Sequence, residues 1–193
     1  MSRSAAYVEG RKLARRYARF YRESVPGFGH SMLAGTADQL GVRESRRIVG
    51  DYVMTEGDYF ERRHFPDDVG SFAYPIDIHA ANGEDAARQA ETEKTLERTA
   101  YAPGENYGIP YRAILVKGLS NLLVAGRCVS ADRAMQASIR VVPGCMITGE
   151  AAGTAAALSC GSGVPLRDVG IEILQEKLAA NGNFISPGKP CGA

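Results

Sequence analysis

With 193 residues, 45% of them hydrophobic and 23% charged, the chain has the balance of a soluble globular protein of one ordinary domain or two small ones, which excludes disorder of the whole. A formal net charge of +1 creates no whole-molecule field pointing to nucleic acid or a membrane surface. No apolar run approaches the roughly 20 residues of a membrane helix and no signal-peptide core follows Met1–Gly10, so a cytoplasmic location is the default expectation.

Residues 5–24 read as an amphipathic helix. Ala6, Gly10, Leu13, Tyr17 and Phe20 recur at helical spacing, and Arg11, Arg15, Arg19 and Arg22 fall largely on the other side. Pro26 and Gly27 end it. The basic face suits a solvated surface or, in the rival reading, nucleic acid. His30–Thr36 reads as a short strand, 41–47 (GVRESRR) as a charged connection, and Ile48–Thr55 as a second strand. Thr55 is placed to cap a short helix, with Asp58 at the capping-box position. Phe72–His79 reads as extended, with Pro75 putting it at an edge or bend. Residues 82–100 are charged and poor in large apolar groups, as in an exposed helix or mobile loop, and 103–113 are turn-rich.

The last third is patterned most clearly. Leu122–Ala125 (LLVA) fits a buried parallel strand ending at Gly126. Pro143 suits the first turn of a helix running to about Cys160, and Ile171–Ala180 forms a last amphipathic helix that stops at Asn181–Gly182. The cysteines, Cys128, Cys145, Cys160 and Cys191, form no CxxC pair. Neither a zinc nor an iron–sulfur site is expected, and free, mostly buried thiols are.

Chemistry concentrates in 121–158. A helix N-terminus at Pro143, Gly144 and Cys145 offers unpaired N–H groups and about half a positive charge. The run Gly149, Ala151, Ala152, Gly153, Ala155 and Ala156 lacks bulk, which suits either close approach of a planar ligand or plain helix packing on a sheet. Arg43, Glu44, Arg46 and Arg47 form a charge cluster whose arginines either clamp a substrate carboxylate or stitch elements by salt bridges. Asp77 and His79 share one face of an extended segment, as a proton-transfer pair or a structural one.

The segment NLLVAGRCVSADRAMQASIRVVPGCMITGEAAGTAAAL (121–158) resembles the C-terminal FAD-binding segment of bacterial FAD-dependent oxidoreductases of the glutathione-reductase and fumarate-reductase type. VPGF at 25–28, GVRESRRIVGDYVMT at 41–55, YPIDIH at 74–79 and YGIPYRAILVKGLSNLLVAGR at 107–127 follow the same order. Broad groupings join this family to the flavin subunit of heterodisulfide reductases, but the cysteine spacing of a 4Fe–4S cluster is missing here. The resemblance implies an α/β fold, the C-terminal part of a two-domain flavoprotein. Residues 1–110 would form part of the substrate region, and 111–193 the C-terminal segment of a Rossmann-like FAD domain. It implies FAD as cofactor and hydride transfer to or from a small-molecule substrate. Gly126, Arg127 and Asp132 would lie along the ribityl and phosphates, with a local loop ion pair as the alternative for Arg127 and Asp132. Gly144, Cys145 and Met146 would meet the flavin pyrimidine through backbone N–H groups. Arg46, Arg47, His79 and Arg112 are the candidate catalytic residues, with Tyr111 beside Arg112. The family's GxGxxG fingerprint has no counterpart: Gly27 and Gly29 make a GxG, but Met32 stands at the third position. A missing N-terminal FAD-binding segment or partner chain is therefore expected. A non-catalytic fragment is the alternative, and a nucleic-acid module using the first helix is the more distant one.

Overall fold

A computed structural model describes residues 2–78, 90, 94, 97 and 100–186 and divides the chain into two compact units, Met1–Arg43 and Glu44–Ala193.

The first unit is built on α1 (Arg3–Ser24), in which none of the residues is buried. Ser2 caps it, its hydroxyl accepting the Ala5 N–H at 3.2 Å. The return segment is held to it through Tyr7, whose hydroxyl oxygen accepts the Leu40 N–H at 3.2 Å, and through the Tyr21–Phe28 ring contact. The strand expected at His30–Thr36 does not form: His30 ends a turn and residues 31–36 have no ladder, since the described residues of this unit supply a helix and loops but no strand to pair with.

In the second unit Ile48–Thr55 is extended but is not a regular strand. It makes two single bridges, antiparallel at Gly50↔Val116 and parallel at Met54↔Ala131, with a bend at Asp51–Tyr52 between them. Gly50 is required there, because a Cβ would lie 2.8 Å from the Ser130 Cβ and 3.0 Å from the Arg112 and Leu115 carbonyl oxygens. The capping box at Thr55 and Asp58 forms as expected and starts α2 (Glu56–Phe60).

β1 (Asp68–Phe72) pairs antiparallel with β2 (Tyr107–Pro110), with an irregularity between Asp68 and Ser71. Leu122–Ala125 is not a buried parallel strand: its contact is a single antiparallel bridge, Leu115↔Leu123, and Leu122 is 44% exposed. Residues 114–125 fold back on themselves through a turn at Gly118 (φ +80°), so the apolar run meets its own chain neighbour, and Val124 donates to the Ile114 carbonyl.

α3 (Arg133–Ile139) and α4 (Val142–Ser162) follow and meet at 91°. α4 starts with Pro143 in its first turn and runs to Ser162, two residues beyond Cys160, with Gly163 (φ +68°) as its C-cap. Its Ala151 and Ala155 are fully buried against β1 and α5 (Ile171–Ala180), where their small side chains permit a close approach. α5 buries Leu174 and Leu178 as its periodicity requires. One core joins these elements, with Met54, Tyr59, Val69, Tyr107, Ile109 and Met135 at its centre. The mixture of helix and strand accords with an α/β class. Residues 82–100 lie almost wholly outside the described residues; Ala90, Lys94 and Glu97 are helical and exposed.

Candidate functional site

The α3–α4 corner is a tight construction. A Cβ on Gly144 would press into the Ile139 carbonyl oxygen, so glycine is what lets α4 start directly against the end of α3. Gly126 opens a 3-10 turn (Gly126–Cys128) at φ +73°, and its N–H donates to the Thr148 hydroxyl at 2.9 Å. The same hydroxyl donates to the Gly144 carbonyl at 3.0 Å. One threonine thus fastens the Gly126 turn to the first turns of α4.

This end of α4 is open. Val141 offers no side-chain cap, and Pro143 has no N–H to contribute. The Cys145 N–H is spent on the Val141 carbonyl at 3.0 Å, and Met146 lies one residue further into the helix. Of the amides before Cys145, Val142 belongs to an exposed residue and Gly144 to a buried one, so the exposed amide precedes the expected set Gly144, Cys145 and Met146. Val142 and Met146 are 72% and 68% exposed, so the end faces outward. The Cys145 thiol donates to the Arg140 carbonyl at 3.2 Å, and burial pushes its pKa up against the pull of Arg127.

Arg46 and Arg47 come close to this corner in the chain, since the Ile48 N–H donates to the Cys128 carbonyl at 3.0 Å. Arg46 is exposed. Arg47 is half-buried, 3.8 Å from Glu44, and Glu44 is 3.7 Å from Arg133. The Arg47 Nη1 that faces Glu44 is shielded from solvent, and at 3.8 Å the pair is an ion pair without a hydrogen bond. Arg140 donates to the Asp77 carbonyl at 2.6 Å, so the segment leading toward His79 passes the same corner. His79 itself lies outside the described residues.

Other candidates have structural duties. Asp132 caps α3 by accepting the Met135 N–H at 2.8 Å, and its second oxygen accepts the Glu56 N–H at 2.7 Å. Arg112 grips Asp67 through Nε and Nη2 at 2.9 and 3.0 Å and lies over the Tyr52 and Phe65 rings. Tyr111 is buried and donates to the Leu166 carbonyl at 2.8 Å; its burial raises the phenol to about 12. Arg127 is exposed beside the site.

Two buried carboxylates carry contacts beyond those expected from the sequence. Asp58 receives the Tyr52 hydroxyl at 2.8 Å and the Arg63 guanidinium at 3.0 Å in addition to its capping role. Asp68 faces His64, with Oδ2 and Nδ1 2.9 Å apart. The (i, i+4) spacing of His64 and Asp68 was the available signal, but it lies in a loop where helical spacing carries no meaning. Among the described residues no group of three or more His, Cys, Asp or Glu could hold a metal ion, and no single helix is long and apolar enough to cross a membrane.

The chain belongs to the FAD-dependent oxidoreductase family, whose model matches residues 1–178. No curated protein and no solved structure matches it. The family makes it an oxidoreductase with FAD as cofactor.

The residues at the corner fit one part of that cofactor. The uncapped first turn at exposed Val142 has the polarity for the electron-rich edge of a flavin, and Arg127 has the charge for its phosphates. Asp132 and Arg112 already hold protein partners on the atoms a ligand would use.

Proposed function

We propose that this chain supplies the ring-facing side of the flavin site and part of the substrate region of an enzyme that moves a hydride between a small molecule and FAD. The observation that carries the reading is the uncapped, exposed N-terminus of α4, held against the Gly126 turn by Thr148. Its partial positive charge would stabilise negative charge on the pyrimidine side. FAD supplies the hydride chemistry; the chain positions, tunes and excludes water. Arg47, whose Nη1 is shielded and faces Glu44 at 3.8 Å without a hydrogen bond, would receive an anionic group of the substrate in exchange for that loose ion pair, with Arg46 at its rim. Residues 1–110 would serve mainly the substrate and 111–193 the cofactor. The adenosine half of FAD would be held by a separate glycine-rich segment, because no GxGxxG occurs in the sequence.

Co-expression with a GxGxxG-bearing segment of the same family tests this. A yellow complex with a flavin spectrum that Met146→Glu perturbs or abolishes supports the reading, since Met146 is exposed beside the helix end and tolerates a polar side chain. A flavin spectrum identical in the variant removes the α4 end from the site.

A further inference from the structure

His64 and Asp68 are held face to face with little solvent, their side chains 10% and 3% exposed. His64 Nε2 lies 3.2 Å from the Asn106 carbonyl oxygen. A carbonyl only accepts, so Nε2 carries a hydrogen. On the other side Nδ1 and the Asp68 Oδ2 are 2.9 Å apart. Two lone pairs at that separation repel, so the contact requires a proton between them. We infer that His64 and Asp68 share one proton in the folded protein and form a pH-sensitive clasp tying the loop before β1 to the loop before β2. The pair is neutral overall whether the proton sits on nitrogen or oxygen, which reconciles it with burial.

The surroundings favour retention of that proton. The Asp68 Oδ1 is buried with no hydrogen-bond partner among the described residues, and a Cβ on Gly108 across the ladder would press on the same carboxylate. Burial pushes the Asp68 carboxyl up to about 6, outweighing hydrogen bonding at the Phe65 backbone and at His64. Asp67 pushes it further in the same direction, while Asp67 is itself paired with Arg112. Arg63 is engaged by Asp58 and Glu61. From α5 the group reaching this stretch is the neutral amide of Gln175, on the Asp68 carbonyl at 2.9 Å. A carboxyl raised above its unfolded value of about 4 stabilises the fold below that value, and the contribution is lost as pH rises through about 6. Alkali therefore loosens the clasp.

Urea unfolding of the 193-residue chain and of Asp68→Asn at pH 5 and pH 8 tests this. The asparagine amide keeps a hydrogen toward Nδ1 at every pH. Its folding constant should gain on that of the unsubstituted protein by at least about tenfold between the two pH values, the factor for one pKa unit. Parallel pH dependence would overturn the inference. Should the variant not fold, NMR titration of the unsubstituted protein decides: the Asp68 carboxyl carbon should titrate well above an ordinary carboxylate. A midpoint in the ordinary carboxylate range would overturn it.

Discussion

The carboxylate of Asp132 receives the N–H of Glu56, 76 positions earlier, at 2.7 Å, and the N–H of Met135 at 2.8 Å. One side chain therefore caps the starts of α2 and α3 together. Asp132→Ala should cost about 2–3 kcal/mol, as two charge-assisted caps are lost. Thermal unfolding without flavin measures it; unchanged stability would mean that the residue is free to serve a ligand.

The two glycines of the corner should respond differently. Gly144→Ala puts a methyl group against the Ile139 carbonyl and should cost about 2 kcal/mol or more. At Gly126 the nearest atom, Cys145 Sγ, is 3.8 Å from the added Cβ, so the loss is only the backbone penalty of φ +73°, about 1 kcal/mol. Equal losses in denaturant unfolding would contradict this account of the corner.

Two arginines separate structure from function. Arg112→Lys gives up the fork on Asp67 and the stacking on Tyr52 and Phe65, and should lose about 1 kcal/mol of stability for this half-exposed pair. Arg47→Lys should leave stability and flavin spectrum alone and raise KM or lower kcat in the assembled enzyme, because lysine keeps the charge without the fork. A loss of folding in the second variant would make its contact with Glu44 structural.

Burial raises the Cys145 thiol, so at pH 8 a smaller fraction is thiolate than in an exposed cysteine. Iodoacetamide followed by peptide mapping should mark exposed Cys160 well before half-buried Cys145. Cys145 labelled first would indicate an activating environment that the geometry does not contain.

The helices were legible because their signals are local. α1, the capping box of α2, Pro143 and the Asn181–Gly182 stop all appear at their expected places. The strands were not, because their partners are remote. β2 sits inside a turn-rich stretch and becomes a strand through pairing with β1, about 40 residues away in sequence. LLVA carries the composition of a buried strand, and composition does not reveal that its neighbour is a backfolding turn. At the site, the glycines and the helix start were readable, but the side-chain assignments were not. Asp132 and Arg112 have the right chemistry for a ligand and are taken by Glu56, Met135 and Asp67, contacts set by tertiary structure.

If this chain grips the flavin ring and leaves the adenosine half to another segment, calorimetric titration of the purified 193-residue protein with FAD and, separately, FMN will show it. A ring-side grip alone must offset an immobilisation cost of about 4 kcal/mol or more, so binding should be weak, with dissociation constants above about 1 μM and similar for the two ligands. Sub-micromolar FAD binding with FMN about a hundredfold weaker would show that the chain holds the adenosine half itself, and would contradict the account.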